Sequence, residues 1–127
     1  MTQILPMRRD DNVALDTGAL VRLEVALGTV RSREILAQAC CEIIERMTQV
    51  ELRLEEGNRA EAGRLARGVA ALSSEIGLCE LSVAARAVVN CLSADDPVAL
   101  AATMHRLSRV GQISLDALLT NTAARDL

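Results

Sequence analysis

Residues 36–54, LAQACCEIIERMTQVELRL, carry the reading that decides the fold. Leu36, Cys40, Ile43, Met47, Val50 and Leu54 recur at alternating steps of four and three. That spacing places all six on one side of a continuous helix, with Glu42, Glu45, Arg46 and Glu51 elsewhere on its circumference. The stripe predicts a helix from about Ser32, a potential N-cap, to Glu56, with Gly57-Asn58 ending it and starting the next. So short a link implies that the two helices run antiparallel.

The pattern extends in both directions. Upstream, Asp16 or Thr17 can cap a short helix that runs to about Leu27, where Gly28 is a natural stop. Downstream, Ala62, Leu65, Val69, Leu72 and Ile76 form the stripe of a third helix, interrupted at Gly77. Leu78, Leu81, Ala85, Val88 and Leu92 form the inward face of a fourth. Asp95-Asp96 before Pro97 is a strong start signal, because an acidic cap precedes a residue tolerated in the first turn. The fifth helix then carries Leu100, Met104, Leu107, Gly111, Leu115 and Leu118 along one side and frays from Asn121 to Leu127. None of these amphipathic segments can bury its stripe alone. The expected fold is therefore all-α, an up-down-up-down four-helix bundle with a short extra N-terminal helix. Residues 1–15, with Pro6 and the polar run Arg8-Arg9-Asp10-Asp11-Asn12, read as a loose arm, and 16–127 as one domain.

Composition limits what such a domain does. At 127 residues it can bury a core without staples. Half the residues are hydrophobic, yet no apolar run approaches the roughly 18 residues of a membrane span. No apolar stretch follows Arg8-Arg9 as in a secretory signal, so the expectation is a soluble, cytoplasmic chain. Phe, Tyr and Trp are absent and the net charge is -3. The core must be aliphatic, and neither base stacking nor phosphate-backbone binding is favoured, so nucleic acid is not an expected partner. Cys40, Cys41, Cys79 and Cys91 match no zinc spacing and read as reduced core thiols, with at most one of the adjacent pair in the main seam. No metal or cofactor is expected. His105, the one histidine, falls off the apolar stripe of the fifth helix and reads as a surface residue.

The third helix is more informative. Gly63, Arg67, Ala70, Ala71 and Ser74 fall on the side opposite its apolar stripe, with Arg64 at the flank. Large residues are expected to point in and small ones out. Glycines such as Gly63 and Gly68 weaken a helix by about 0.5–1 kcal/mol each relative to Ala. A closely approaching partner is one way to offset that, and the ordinary composition of an Ala-rich protein is another explanation.

The order of elements resembles the histidine-containing phosphotransfer (HPt) family. A short helix, a long helix ending in Gly57-Asn58, an Ala-rich third helix and then Ile76-Gly77-Leu78-Cys79-Glu80-Leu81 carry the resemblance, over roughly residues 16–120. In that family the second helix commonly ends in a G-D-like turn. The third bears H-x-x-K-G, followed about six residues later by a glycine. Counting forward from Gly57-Asn58 and back from Gly77 both put the family's phospho-accepting histidine at Arg67, its lysine at Ala70 and its glycine at Ala71. A rival register using Arg67-Gly68 as the Lys-Gly pair puts the histidine at Arg64 but needs three extra residues before Gly77. Neither register has a histidine. The resemblance implies a degenerate, non-catalytic signalling adaptor whose docking face (Arg67, Arg64, Gly63, Ala70, Ala71, Ser74) binds a histidine kinase or a response-regulator receiver domain. The alternatives are a helical homodimerisation module and a phosphotransferase with a non-standard acceptor such as His105; the chain is accordingly expected as a monomer or a homodimer.

Overall fold

The computed structural model describes residues 15–126, and the side chains of residues 15–120. The described backbone is almost wholly helical, in five segments: α1 (Thr17–Leu27), α2 (Thr29–Glu55), α3 (Arg59–Glu75), α4 (Cys79–Ala94) and α5 (Pro97–Asp126). Consecutive helices pack on one another, α1 on α2, α2 on α3, α3 on α4 and α4 on α5. None is long and apolar enough to cross a membrane.

The stops of α1, α2 and α3 lie at glycines, and α4 ends at Asp95, which takes a φ of 57°. At the end of α2 the N–H of Asn58 donates to the Arg53 carbonyl at 2.8 Å and that of Gly57 to Leu54 at 3.0 Å. At the end of α3 the N–H of Leu78 donates to Ser73 at 2.8 Å and that of Gly77 to Ser74 at 3.3 Å. Both are Schellman caps, which satisfy orphan carbonyls by placing one residue in the left-handed region. Gly57 at φ 81° and Gly77 at φ 84° supply it. The starts of α1, α3 and α5 are capped by carboxylates and an amide: Asp16 accepts from the Ala19 N–H, Asn58 from Glu61 and Asp96 from Ala99.

Three boundaries differ from the sequence expectation. Ser32 is no cap: α2 starts at Thr29 directly after Gly28, so Ser32 is buried within the first turn and its hydroxyl donates to the Thr29 carbonyl at 3.0 Å. Leu15 does not belong to an arm, because it forms an antiparallel bridge with Leu78 and packs against the core; residues 1–14 of the expected arm lie outside the described residues. The last helix continues to Asp126.

The core is aliphatic, as the composition requires. Ile43 and Val50 of α2, Val69 of α3, Leu81 and Val88 of α4, and Leu107 and Leu118 of α5 are its larger members. On α3 the buried residues are Ala62, Gly63, Ala66, Val69, Ala70 and Ser73. Such small side chains let α2 and α4 approach α3 from two sides, and the Ser82 hydroxyl of α4 donates across to the Ala70 carbonyl at 3.0 Å. Leu65 and Leu72, expected on the inward stripe, are only partly buried. A helix covered by two neighbours has a buried arc wider than one stripe, centred here on Ala66 and Val69.

Candidate docking face

The same geometry sorts the predicted docking residues into two groups. Arg64, Arg67, Ala71 and Ser74 are exposed. Gly63 and Ala70, expected to face outward, are buried against α4. A Cβ at Gly63 would stand 3.6 Å from Leu92 Cδ1, and Ala70 is 5% exposed. Both belong to the α3–α4 contact, and only the first group can meet a partner.

Gly68 also has an internal explanation. The guanidinium of Arg46, reaching over from α2, occupies the space that a Cβ at Gly68 would need. The close approach that offsets the glycine is made by this chain's own α2, so no external partner is required there.

Arg64 is held within its own helix, donating through Nε to Glu61 Oε1 at 3.0 Å and through Nη2 to the other carboxylate oxygen. This hydrogen bond lowers the Glu61 pKa and raises that of Arg64. At the N-terminal end of α3, Arg59 donates to the Leu92 carbonyl at 3.0 Å and pairs with Asp95 at 3.2 Å, tying α3 to the end of α4.

Arg67 differs from both. It makes no hydrogen bond or ion pair among the described residues, and it lies at the junction of two shallow clefts along the α3–α4 seam. One, of about 200 Å³, is bordered by Arg59, Gly63, Leu92 and Ser93. The other, of about 410 Å³, is bordered by Ala70, Ala71, Arg86, Val89 and Asn90. Val89 contributes to both. Arg86, exposed and also without a partner among the described residues, is a member of this face that the sequence reading missed. One signal was available: it is the sole charged residue between Glu80 and Asp95.

A third concavity, of about 410 Å³, lies between α2 and α5, where Ile44, Met47, Met104, Leu115 and Leu119 make an apolar groove rimmed by Glu51 and Asp116. Met47 lies over Gly111 there, its Cε 2.6 Å from where a Cβ would be.

Other chemistry is sparse. Among the described residues no three His, Cys, Asp or Glu side chains converge on a metal-sized site. The cysteines are free thiols, and their expected place in the core holds only in part. Cys40 packs against the core and Cys91 is half-buried, whereas Cys41 and Cys79 are exposed because they fall on the outer sides of α2 and α4. As expected for neighbours on a helix, only one of Cys40 and Cys41 turns inward. Burial, with Cys41 adjacent, raises the Cys40 thiol pKa. His105 is exposed on α5 and borders none of these clefts.

Comparison of the chain with protein-family models, with curated proteins and with solved structures found no match.

Proposed function

We propose that this chain is a non-catalytic, HPt-like signalling adaptor. In this reading it is an up-down-up-down four-helix bundle, α2–α5, with α1 as an extra N-terminal helix. It acts in the cytoplasm, binding a histidine kinase or a response-regulator receiver domain of a two-component phosphorelay. The observation that carries the reading is Arg67: exposed, unpartnered among the described residues, in the middle of α3 between two glycine-capped helix ends, where the HPt register puts a phospho-accepting histidine.

Relay chemistry needs a neutral imidazole nitrogen with a free lone pair to attack an aspartyl phosphate. A guanidinium stays protonated and offers only donors. Arg67 therefore holds an anion and cannot accept a phosphoryl group by that route. The receiver's active site, built of carboxylates, is a complementary target for charge-assisted hydrogen bonds. The test is capture of purified receiver and kinase domains, followed by calorimetry with Arg67→Glu. Loss of binding in the variant supports the reading. Undiminished binding removes Arg67 from the centre of the interface.

A homodimerisation module is the second reading, favoured by the apolar residues Val21, Val25, Leu27 and Val30 exposed around the α1–α2 corner. Sedimentation separates the two, since a monomer at working concentration eliminates the dimer. Phosphotransfer through the exposed His105 is tested by incubation with a phosphorylated receiver, where the adaptor reading expects no label on the chain.

A further inference from the structure

Of the arginines whose side chains are described, only Arg67, Arg86 and Arg109 lack a hydrogen bond or ion pair among the described residues; the others are engaged, mostly with carboxylates at 3.7 Å or less. Two of those three border the same cleft from adjacent helices. Its remaining walls are Ala70, Ala71, Val89 and Asn90, which bring no negative charge. Two guanidinium groups thus border an apolar floor, and no carboxylate among the described residues lines the cleft with them. In a chain with more acidic than basic residues, leaving both without a carboxylate among the described residues marks the cleft as a receptor for an external anion.

We propose that Arg67 and Arg86 form a two-armed clamp for a dianionic phosphoryl group presented by a protein partner. A phosphoryl group matches both features of the cleft. Its charge approaches that of two arginines, and its three terminal oxygens accept from two planar donor forks at once. A carboxylate has one charge and one plane, which a single arginine satisfies. The Asn90 amide, on the same wall, adds a neutral donor. The phosphoryl group is held and not transferred, so no bond to phosphorus forms or breaks.

This inference rests on the adaptor reading for the identity of the partner, the aspartyl phosphate of a receiver. It adds that the chain distinguishes the phosphorylated receiver from the unphosphorylated one. The seam location suits that role: Arg67 is carried by α3 and Arg86 by α4, two helices locked together by the buried Ser82–Ala70 hydrogen bond. The spacing of the two anchoring helices is therefore fixed by the core, and only the two side chains have to be ordered on binding.

Nitrogen-15 spectra of the arginine Nε–H groups test the clamp with inorganic phosphate as the probe, against acetate at equal ionic strength. Arg109, exposed on α5 and outside the cleft, is the internal control. The Arg67 and Arg86 signals are expected to follow one saturable phosphate curve that Arg109 does not share. In Arg86→Gln the Arg67 curve should weaken by about 5-fold, the upper end for a solvent-exposed charge pair. Parallel shifts of all three arginines, an equal response to acetate, or an Arg67 curve unchanged in Arg86→Gln would each overturn the proposal. Phosphate binding without capture of any receiver sinks the adaptor reading and leaves the clamp standing. Capture of a receiver by a protein whose Arg67 and Arg86 ignore phosphate does the reverse.

Discussion

Replacing Gly77 by alanine should destabilise the protein distinctly more than the same change at Gly57, although both glycines occupy the same position of the same capping motif. At φ 84° and φ 81° each pays the left-handed penalty of about 1–2 kcal/mol when a Cβ is added. Loss of unfolded-chain entropy offsets about 0.4–1 kcal/mol of it equally at both sites. The surroundings then separate them. A Cβ at Gly57 meets nothing within 4 Å, whereas at Gly77 it would stand 2.7 Å from the Asp16 carbonyl oxygen. Backbone cannot step aside as a side-chain tip can. Relief requires moving the Leu15–Asp16 segment, which strains the Asp16 N–H to Gly77 carbonyl bond of 2.8 Å and the Leu15–Leu78 bridge. That hydrogen bond is the one that forms the bridge, and at about 0.5–1.5 kcal/mol it puts the excess for Gly77→Ala near 1 kcal/mol. Thermal melts of the two variants measure it, and a chain of this size should show a difference in Tm of roughly 3–6 °C per kcal/mol. Equal destabilisation would refute the claim that α3 is stopped against the segment leading into α1.

Three further outcomes are expected. The Ser73 hydroxyl is buried with no hydrogen-bond partner among the described residues, while that of Ser82 joins α4 to α3. In chemical denaturation Ser73→Ala should therefore be neutral or stabilising by up to about 1 kcal/mol and Ser82→Ala destabilising by about 1 kcal/mol. Gly68→Ala displaces only the tip of Arg46 and weakens its exposed pair with Glu42, while gaining about 0.8–1.0 kcal/mol of helix propensity; thermal melts should show it no less stable than the parent. Alkylation followed by peptide mapping should find the exposed Cys41 and Cys79 modified well before Cys40, whose raised pKa keeps it a thiol. Because the Cys40 pKa is higher folded than unfolded, its contribution is fully present at neutral pH. It is lost as pH rises past the ordinary thiol value of about 8.5 toward the folded value, and Cys40→Ala should flatten that part of the pH–stability curve.

How far the sequence could be read depended on how many neighbours each helix has. On α2 the six-residue stripe was legible because its pattern is carried by large side chains: Ile43 and Val50 are fully buried, and Leu36, Cys40, Met47 and Leu54 pack against them. The helix ends were legible because Gly28, Gly57 and Gly77 all have positive φ, a requirement few other residues meet without strain. On α3 the pattern is ambiguous at Gly63 and Ala70, which are buried. Small residues look alike whether they face solvent or a close-packed helix, and only the second covering helix, α4, decides between them. Arg86 escaped notice for a related reason: the cleft it borders is made by two helices, and neither pattern alone shows that Arg67 lies across from it.

The two glycines from which the proposed HPt register is counted are also helix stops that any all-helical chain could use, so that register follows from the length of α3 between its caps. What distinguishes this chain is the residue set at the centre of that length. Arg67 contributes no hydrogen bond or ion pair among the described residues, and the α3 core of Ala62, Ala66 and Val69 faces away from it. Its substitution should leave stability within about 0.5 kcal/mol of the parent, as for surface positions without special contacts. That separation makes Arg67→Glu a clean probe. A variant that melts with the parent yet loses its partner assigns the loss to the charge at the seam. A variant that loses several kcal/mol would instead mean that Arg67 supports the fold, and the argument for a docking role at this residue would fail with it.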